Sequence, residues 1–166
     1  MNQSRILDQF YTKPNIAIYC FDRVLDIIKD KEIKFDYYLE PSAGTGAFYS
    51  ILPKNRIGID LDPKLKEIIR ADFLTYNKLT DTYFTVGNPP FGKNSSLAIR
   101  FFNKCATVSV GIGFIVPKTF KKESVKNKLD AYFHLLYEED LPENSFEFND
   151  KEKDVPCVFQ IWLKKD

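Results

Sequence analysis

The segment Thr85-Val86-Gly87-Asn88-Pro89-Pro90-Phe91-Gly92 combines residue types that could recognise an amine on a flat heterocycle. The two prolines lack N–H groups and fix their own φ, so the backbone is stiff and its carbonyls point away from any helix or sheet ladder. The side-chain amide of Asn88 can accept and donate hydrogen bonds. Phe91 adds a flat apolar face, and Gly92 permits close approach. The alternative interpretation is a proline-rich turn after a strand.

Acidic or amide side chains follow four successive apolar segments that we predict to be strands. These side chains belong to Glu40, Asp60, Asp72 and Asn88. In an open parallel sheet, the carboxyl ends of the strands meet at one edge, and ligands bind outside that edge. We therefore predict a binding site formed by these four strand ends.

Small residues follow the first of these strands in the segment Glu40-Pro41-Ser42-Ala43-Gly44-Thr45-Gly46. A strand, a glycine-containing turn and a helix open a Rossmann-type βαβ unit, although the third glycine of the dinucleotide fingerprint is missing. At the second strand end, Asp60 could accept hydrogen bonds from ribose hydroxyls. The alternative is N-capping of the following helix, for which Asp62 is the better candidate.

The elements that must position these residues follow from periodicity and turn residues. A long helix is predicted from a cap at Thr12 to Asp30 and a second from Leu97 to Cys105, with short helical segments at 47–52 and 63–67. The predicted strands are Tyr37–Leu39, Arg56–Asp60, Ile68–Arg70, Tyr83–Val86, Val108–Val116, Tyr132–Tyr137 and Val155–Leu163. The polar connection Glu138–Asp154 is predicted to be a binding loop or disordered.

For two further groups of residues, the sequence leaves two interpretations open. Phe10 and Tyr11 precede the first helix and could either staple it to the core or form a lip over a ligand. Five lysines follow the strand that ends before Pro117, at the same predicted edge as Asn88. They could be a solvated helix face or could contact nucleic-acid phosphates. These lysines are Lys118, Lys121, Lys122, Lys126 and Lys128.

Composition limits the class of protein. The 166 residues, with 44% hydrophobic content, suit one domain over 1–166, and a net charge of +1 provides no global field for nucleic acid. Cys20, Cys105 and Cys157 fit neither a disulfide framework nor a zinc site. With no signal-peptide pattern and no membrane-length run, we expect an intracellular protein (cytoplasmic, nuclear or in a compartment like a viral factory) that is not secreted and has no metal site.

The glycine segment followed by Asn88-Pro89-Pro90-Phe91 resembles the S-adenosylmethionine-dependent adenine-N6 methyltransferases. Gln9-Phe10-Tyr11-Thr12-Lys13-Pro14 is similar to the N-terminal cofactor-binding motif of the gamma-type DNA enzymes. The resemblance covers nearly the whole chain, and the motifs occur in the same order. It implies an α/β, Rossmann-like class I methyltransferase fold, with a seven-stranded, mostly parallel sheet that ends in a C-terminal antiparallel hairpin.

The resemblance also implies roles for individual residues. Tyr11 and Thr12 would hold the methionine end of S-adenosylmethionine, Asp60 its ribose, and Asp72 and Phe73 its adenine. The full implied cofactor set is Phe10, Tyr11, Thr12, Glu40, Pro41, Ser42, Ala43, Gly44, Gly46, Asp60, Leu61, Asp72, Phe73 and Asn88. The implied catalytic set is Asn88, Pro89, Pro90 and Phe91, and the implied substrate-binding set is Phe91, Lys93, Lys118, Lys121, Lys122 and Phe146.

Within the implied catalytic set, Asn88 and the Pro89 carbonyl would accept hydrogen bonds from the N6 amine of the target adenine. Phe91 would stack on the extruded base. No metal and no protein nucleophile are needed, because the cofactor supplies the electrophile.

The implied substrate is nucleic acid, with DNA favoured over RNA by the Phe-Tyr-Thr and Glu-Pro-Ser-Ala-Gly-Thr-Gly pieces. Gln9, Thr12, Pro14 and Ala17 also match a pattern of ribosomal-RNA adenine methyltransferases of archaea and eukaryotes. Gamma-type DNA enzymes usually carry a target-recognition domain, so target recognition would come from a protein partner, from the loop containing Phe146, or be absent. A partner-dependent subunit and a protein-glutamine methyltransferase are the remaining alternatives.

Overall fold

The computed structural model describes residues 11–44, 46–148, 151–153 and 156–166, with the backbone alone at 147, 148 and 151–153. The helices are α1 (Pro14–Lys31), α2 (Ser96–Ala106) and the short α3 (Glu123–Lys126). The strands are β1 (Tyr11–Thr12), β2 (Tyr37–Glu40), β3 (Arg56–Asp60), β4 (Ile69–Arg70), β5 (Tyr83–Gly87), β6 (Ser109–Pro117), β7 (Phe133–Asp140), β8 (Phe146–Phe148), β9 (Lys151–Lys153) and β10 (Cys157–Lys164).

The main sheet has seven strands in the order β4-β3-β2-β5-β6-β10-β7. The five adjacent strands β4, β3, β2, β5 and β6 are parallel to one another. Strand β10 is antiparallel to both of its neighbours, β6 and β7. This arrangement confirms the predicted mostly parallel sheet with a C-terminal antiparallel hairpin. The direction of the strand order reverses between β2 and β5, which makes their carboxyl ends the topological switch point where ligands bind in such sheets.

The two long helices cover opposite faces of the sheet. On one face, Phe21 of α1 packs edge-on against Tyr38, with the ring centroids 5.4 Å apart. On the other, Phe102 of α2 packs against Phe114 and Trp162, at 6.5 and 5.3 Å. The buried apolar residues of both layers and the sheet form one continuous core. The sheet is therefore fixed from both sides, and its carboxyl-end edge is left for the loops.

Two of the predicted short helices do not form. Residues 47–52 contain only the 3₁₀ turn Tyr49–Ile51, and no helix is present over 63–67. A helix this short makes few hydrogen bonds to offset the cost of nucleation, so it forms only where packing stabilises it. The predicted capping role of Asp62 is wrong, because there is no helix for it to cap. The long helix begins at Pro14, and its N-cap is Lys13, which has an extended backbone. The predicted cap at Thr12 is therefore wrong.

A second, small sheet joins the N-terminal motif to the connection between β7 and β10. Its strand order is β1-β8-β9, and Thr12 is paired with Phe146 in antiparallel register. The predicted disorder over Glu138–Asp154 is therefore wrong for the parts that form β7, β8 and β9, whereas the alternative of a binding loop stays a prediction. None of the helices in the described ranges combines the length and apolarity needed to cross a bilayer.

Candidate active site

A cavity of about 270 Å³ opens at the carboxyl ends of β2, β3, β4 and β5. Ten residues of the predicted site line it: Tyr11, Pro41, Ser42, Gly44, Asp60, Leu61, Asp72, Phe73, Asn88 and Pro90. The sequence pattern did not predict the other seven, which are Asp62, Lys64, Ala71, Leu74, Leu97, Arg100 and Phe101. The four polar strand ends thus lie along one edge, as the alternation of strands and polar ends predicts.

A smaller recess of about 30 Å³ adjoins this cavity and shares Tyr11, Ser42, Gly44 and Asn88 with it. Thr12, Glu40 and Ala43, which the sequence analysis placed at the cofactor, line the recess and not the main cavity. Gly46 lines neither, but it is buried beside Leu65 and has φ +89°, a backbone conformation that favours glycine. Phe10 lies outside the described residues.

Asp60 organises the loops on both sides of the cavity. Its Oδ2 accepts the N–H of Gly44 at 2.8 Å, and its Oδ1 accepts the N–H of Asp62 at 2.8 Å. One carboxylate therefore ties the glycine loop to the turn that follows β3. Each oxygen keeps a second lone pair, so the carboxylate can still accept hydrogen bonds from ligand hydroxyls.

Glu40 is a buried acid at the base of the recess, with 2% of its surface exposed. Its Oε1 accepts the N–H of Ser42 at 2.9 Å. Burial raises the pKa of the Glu40 carboxyl to about 8; the hydrogen bond from Ser42 opposes this shift, and the charge of Asp60 adds to it. A cation bound in the recess would favour the charged carboxylate.

Gly44 brings the glycine loop close to the N-terminal strand. It has φ +57°, and a Cβ at this position would lie 3.6 Å from Cδ1 of Tyr11. The aromatic ring of Tyr11 therefore packs over the loop, next to the recess. This contact favours the interpretation of Tyr11 as a lip over a ligand, because Tyr11 lines both the cavity and the recess.

Asn88 lies between the cavity and the recess. Its Nδ2 donates to Oγ1 of Thr12 at 3.2 Å, and its backbone carbonyl accepts from Oγ of Ser42 at 3.0 Å. The side chain and the backbone of Asn88 are thus held by two different segments of the chain. Both partners were predicted to be cofactor residues.

The apolar end of the cavity is formed by Phe73 and by one side of α2. The rings of Phe73 and Phe101 lie 5.3 Å apart, and Leu97 and Arg100 line the same end. Asp72 accepts the N–H of Leu74 through Oδ1 at 3.1 Å, which caps the turn Phe73–Thr75. The sequence analysis did not place Leu97, Arg100 or Phe101 at the site. The missed signal was that α2 starts immediately after the Asn-Pro-Pro-Phe-Gly segment, so its first turns must face the same edge.

The loop after Asn88 is anchored on the start of α2. The carbonyl of Phe91 accepts the N–H groups of Leu97 and Ala98, both at 3.1 Å. Gly92 has φ +74°, and a Cβ there would lie 2.6 Å from Cβ of Leu97, so only glycine fits. Pro89 is buried. Phe91 is also buried, with 7% of its surface exposed, and so it does not present the open face that the predicted base stacking requires.

The predicted substrate lysines fall into two groups. Lys118 and Lys121 lie 3.7 and 2.6 Å from the carboxylate of Asp140, so their charges are partly neutralised. Lys93 and Lys122 are exposed. The loops that carry these lysines meet where Oγ of Ser95 and Oγ1 of Thr119 form a 2.6 Å hydrogen bond.

The structure contradicts the predicted contact between Phe146 and the substrate. Its side chain is completely buried in the core, with 0% of its surface exposed. A side chain without exposed surface cannot touch a bound nucleic acid, so any part that Phe146 plays in the site must be exerted through its neighbours.

No family model matches the sequence. Among solved structures, the chain is similar to a protein of Pyrococcus horikoshii described as a putative RNA methyltransferase, at 17% identity and a TM-score of 0.72, over 99% of this chain and 91% of that one. It is also similar to the N-methyltransferase NodS of Bradyrhizobium japonicum in complex with S-adenosyl-L-homocysteine, at 11% identity and a TM-score of 0.57, over 82% and 81% of the two chains.

A third similar structure is the M protein of the type I restriction enzyme EcoKI, at 16% identity and a TM-score of 0.50. The match covers 78% of this chain and 40% of that one. Together with the strand order described above, these likenesses show that the chain has a Rossmann-like methyltransferase fold.

Proposed function

We propose that the protein transfers a methyl group from S-adenosylmethionine to the exocyclic N6 amine of adenine in nucleic acid, with DNA as the first candidate. One observation carries the proposal. The carboxamide of Asn88, in the segment Asn88-Pro89-Pro90-Phe91, lies at the junction of the cavity and the recess, next to the strand ends that carry Asp60 and Glu40.

The chemistry of the donor set fits this cofactor. The main cavity offers an apolar end, with Phe73 and Phe101 for a purine, and two carboxylates, Asp60 and Asp72, for ribose hydroxyls and the exocyclic amine of the cofactor adenine. The recess offers the buried acid Glu40 for an ammonium group. Gly44, between them, allows close backbone approach. When bound, the cofactor supplies an electrophilic methyl group on a sulfonium.

The residues of this chain position the acceptor. Oδ1 of Asn88 and the carbonyl of Pro89 would accept the two hydrogens of the target amine, which turns its lone pair out of conjugation with the ring. Because the two prolines carry no N–H, the backbone brings no competing donor to this point. The protein's contribution is therefore orientation and hydrogen bonding, while the amine proton is released to water.

RNA is the second candidate polymer. The motif resemblance to gamma-type enzymes favours DNA. The fold match over 99% of this chain, to a protein described as a putative RNA methyltransferase, favours RNA. The exposed Lys93 and Lys122 suit the phosphates of either polymer.

The test is transfer of labelled methyl from S-adenosylmethionine to duplex DNA, single-stranded DNA, ribosomal RNA and short messenger RNA in parallel. Products are digested to nucleosides and identified by mass. We expect N6-methyl-deoxyadenosine from DNA; N6-methyladenosine from RNA alone would make the second candidate the function. No product from any acceptor, with cofactor bound, would overturn the proposal for this chain.

The matching variant is Asn88→Ala, which we expect to lower turnover at least about 1000-fold while cofactor affinity stays within a fewfold of the parent value. Asn77→Ala, at an exposed asparagine outside the cavity, is the control. Near-parental turnover by Asn88→Ala would refute the catalytic assignment.

A further inference from the structure

We infer that Thr12 is a positioning residue that holds the carboxamide of Asn88 in its productive orientation, and that the segment carrying Phe146 holds Thr12 in place. This inference rests on the proposed function, since it concerns the same site. It differs from the role that the sequence resemblance implies for Thr12, which is contact with the methionine end of the cofactor.

The first step is the hydrogen bond between the two side chains. Nδ2 of Asn88 donates to Oγ1 of Thr12 at 3.2 Å, and Thr12 is buried, with 7% of its surface exposed. A carboxamide has one donating end and one accepting end. With Nδ2 committed to Thr12, the accepting end is Oδ1, which is the atom that must receive the N–H of a target amine.

The two hydrogen bonds support each other. An amine that donates to Oδ1 requires Nδ2 to point the other way, and there Nδ2 needs an acceptor. A rotated carboxamide would set its own N–H groups against those of the amine, which pairs donor with donor. The hydroxyl of Thr12 can accept or donate, and in the structure it accepts from Nδ2, so the observed hydrogen bond supports the orientation of Asn88 that a target amine can use.

The second step is the support of Thr12 itself. Of β1, the structure describes Tyr11 and Thr12, and so short a strand depends on its pairing partner for its position. Thr12 is paired with Phe146 of β8, and the N–H of Lys13 donates to the carbonyl of Ser145 at 3.0 Å. Phe146 is anchored in the core, and Oγ of Ser145 donates to the carbonyl of Pro142 at 2.5 Å. The connection between β7 and β10 thus acts on Asn88 through Thr12.

The decisive comparison is Thr12→Val with Thr12→Ser. Valine has the same shape as threonine without the hydroxyl, whereas serine keeps it. We expect Thr12→Val to lower kcat about fivefold to tenfold, with the dissociation constant of S-adenosylmethionine changed by less than about twofold. Thr12→Ser should retain most of the parent kcat. A Thr12→Val protein with weaker cofactor binding and an unchanged kcat would overturn the inference and make Thr12 a cofactor ligand.

Phe146→Leu tests the support of Thr12, because it keeps an apolar side chain while changing the packing below β8. We expect a loss in kcat in the parent background and no further loss in the Thr12→Val background, since the effect passes through Thr12. Equal losses in both backgrounds would show that Phe146 acts on the site by another route.

A readout without turnover separates this inference from the proposed function. The side-chain NH₂ signals of Asn88 are assigned in ¹⁵N–¹H spectra by their absence from Asn88→Ala. We expect Thr12→Val to shift them and Thr12→Ser to leave them close to the parent position. Such a result in a protein that methylates no nucleic acid would support the positioning role and refute the proposed function. Unshifted signals in Thr12→Val would refute the positioning role.

Discussion

The carboxyl group of Glu40 packs directly against the backbone of Gly87, where the neighbouring strands β2 and β5 end. A Cβ on Gly87 would lie 2.7 Å from Cδ of Glu40, well inside the contact distance of two carbon atoms. The residue before Asn88 must therefore be glycine, because the carboxyl group of Glu40 on the adjacent strand occupies the space that a Cβ would need.

Gly87→Ala should weaken cofactor binding, because Glu40 must move out of the recess. It should also lower the free energy of unfolding by about 1–3 kcal/mol through overpacking. Gly113→Ala is the control, since its Cβ would meet Val24 and Phe159 side chains at 3.0 and 3.2 Å, away from the cavity. Titration calorimetry and urea unfolding measure the two effects. Parental cofactor affinity in Gly87→Ala would contradict this account of the recess.

Glu40 gives the ligand-free protein a specific dependence of stability on pH. The pKa of the Glu40 carboxyl is about 8 in the folded state, against the ordinary value of 4.5, so this group binds more protons in the folded protein than in the unfolded chain between these values. The contribution of Glu40 to the free energy of unfolding should therefore fall as pH rises from about 4.5 to about 8. Glu40→Gln, which cannot titrate, should make this fall smaller. Urea unfolding of both proteins across this range measures the difference, and identical slopes would show that Glu40 does not titrate there.

Asp60→Asn should affect the site more strongly than Asp72→Asn. Asp60 uses both oxygens to accept N–H groups, from Gly44 and Asp62, whereas Asp72 accepts Leu74 through one. An asparagine at 60 sets its own NH₂ against one of those donors, which costs about 1–3 kcal/mol. An asparagine at 72 can keep its single acceptor. Cofactor affinity and unfolding free energy should fall more for Asp60→Asn, and equal losses would argue against its role in joining the two loops.

Asp140→Asn should strengthen nucleic-acid binding, because it releases Lys118 and Lys121 from their ion pairs. Lys122→Gln should weaken binding and lower the slope of log K against log salt by about one. Fluorescence anisotropy over a salt series measures both, with Lys29→Gln in the last turn of α1 as the control. Unchanged affinity in both Asp140→Asn and Lys122→Gln would exclude this loop from the interface.

Local signals predicted the parts of the structure that depend on neighbours in sequence. The strand ends Glu40, Asp60, Asp72 and Asn88 were located correctly, because each follows an apolar run and precedes turn-forming residues. The order of polar ends along parallel strands then predicted the edge of the sheet at which the cavity lies. Leu97 and Phe101 were missed as cavity residues, because periodicity gives the apolar side of a helix but not which end of the sheet that side meets.

Contacts between distant segments could not be predicted in the same way. The pairing of Thr12 with Phe146 joins two strands of which the structure describes two and three residues, and segments this short show no clear alternation in the sequence. Phe146 was therefore interpreted as a substrate residue on the strength of its position in a polar connection. The strand that carries Phe146 pairs with residues more than a hundred positions earlier in the chain, and no local pattern shows that contact.

The β1–β8 pairing also sets the order in which the site can be assembled during synthesis. The chain leaves the ribosome N-terminus first, so residues 11–13 emerge early, without the strand against which they will pair. The glycine loop, Asp60 and Asn88 follow, but the segment that holds Thr12 is translated only after most of the main sheet. Long-range pairings of this kind form late because they close a large loop. A nascent chain that has reached β7 therefore has nearly all of the residues of its site and still lacks the contact that orders the first of them.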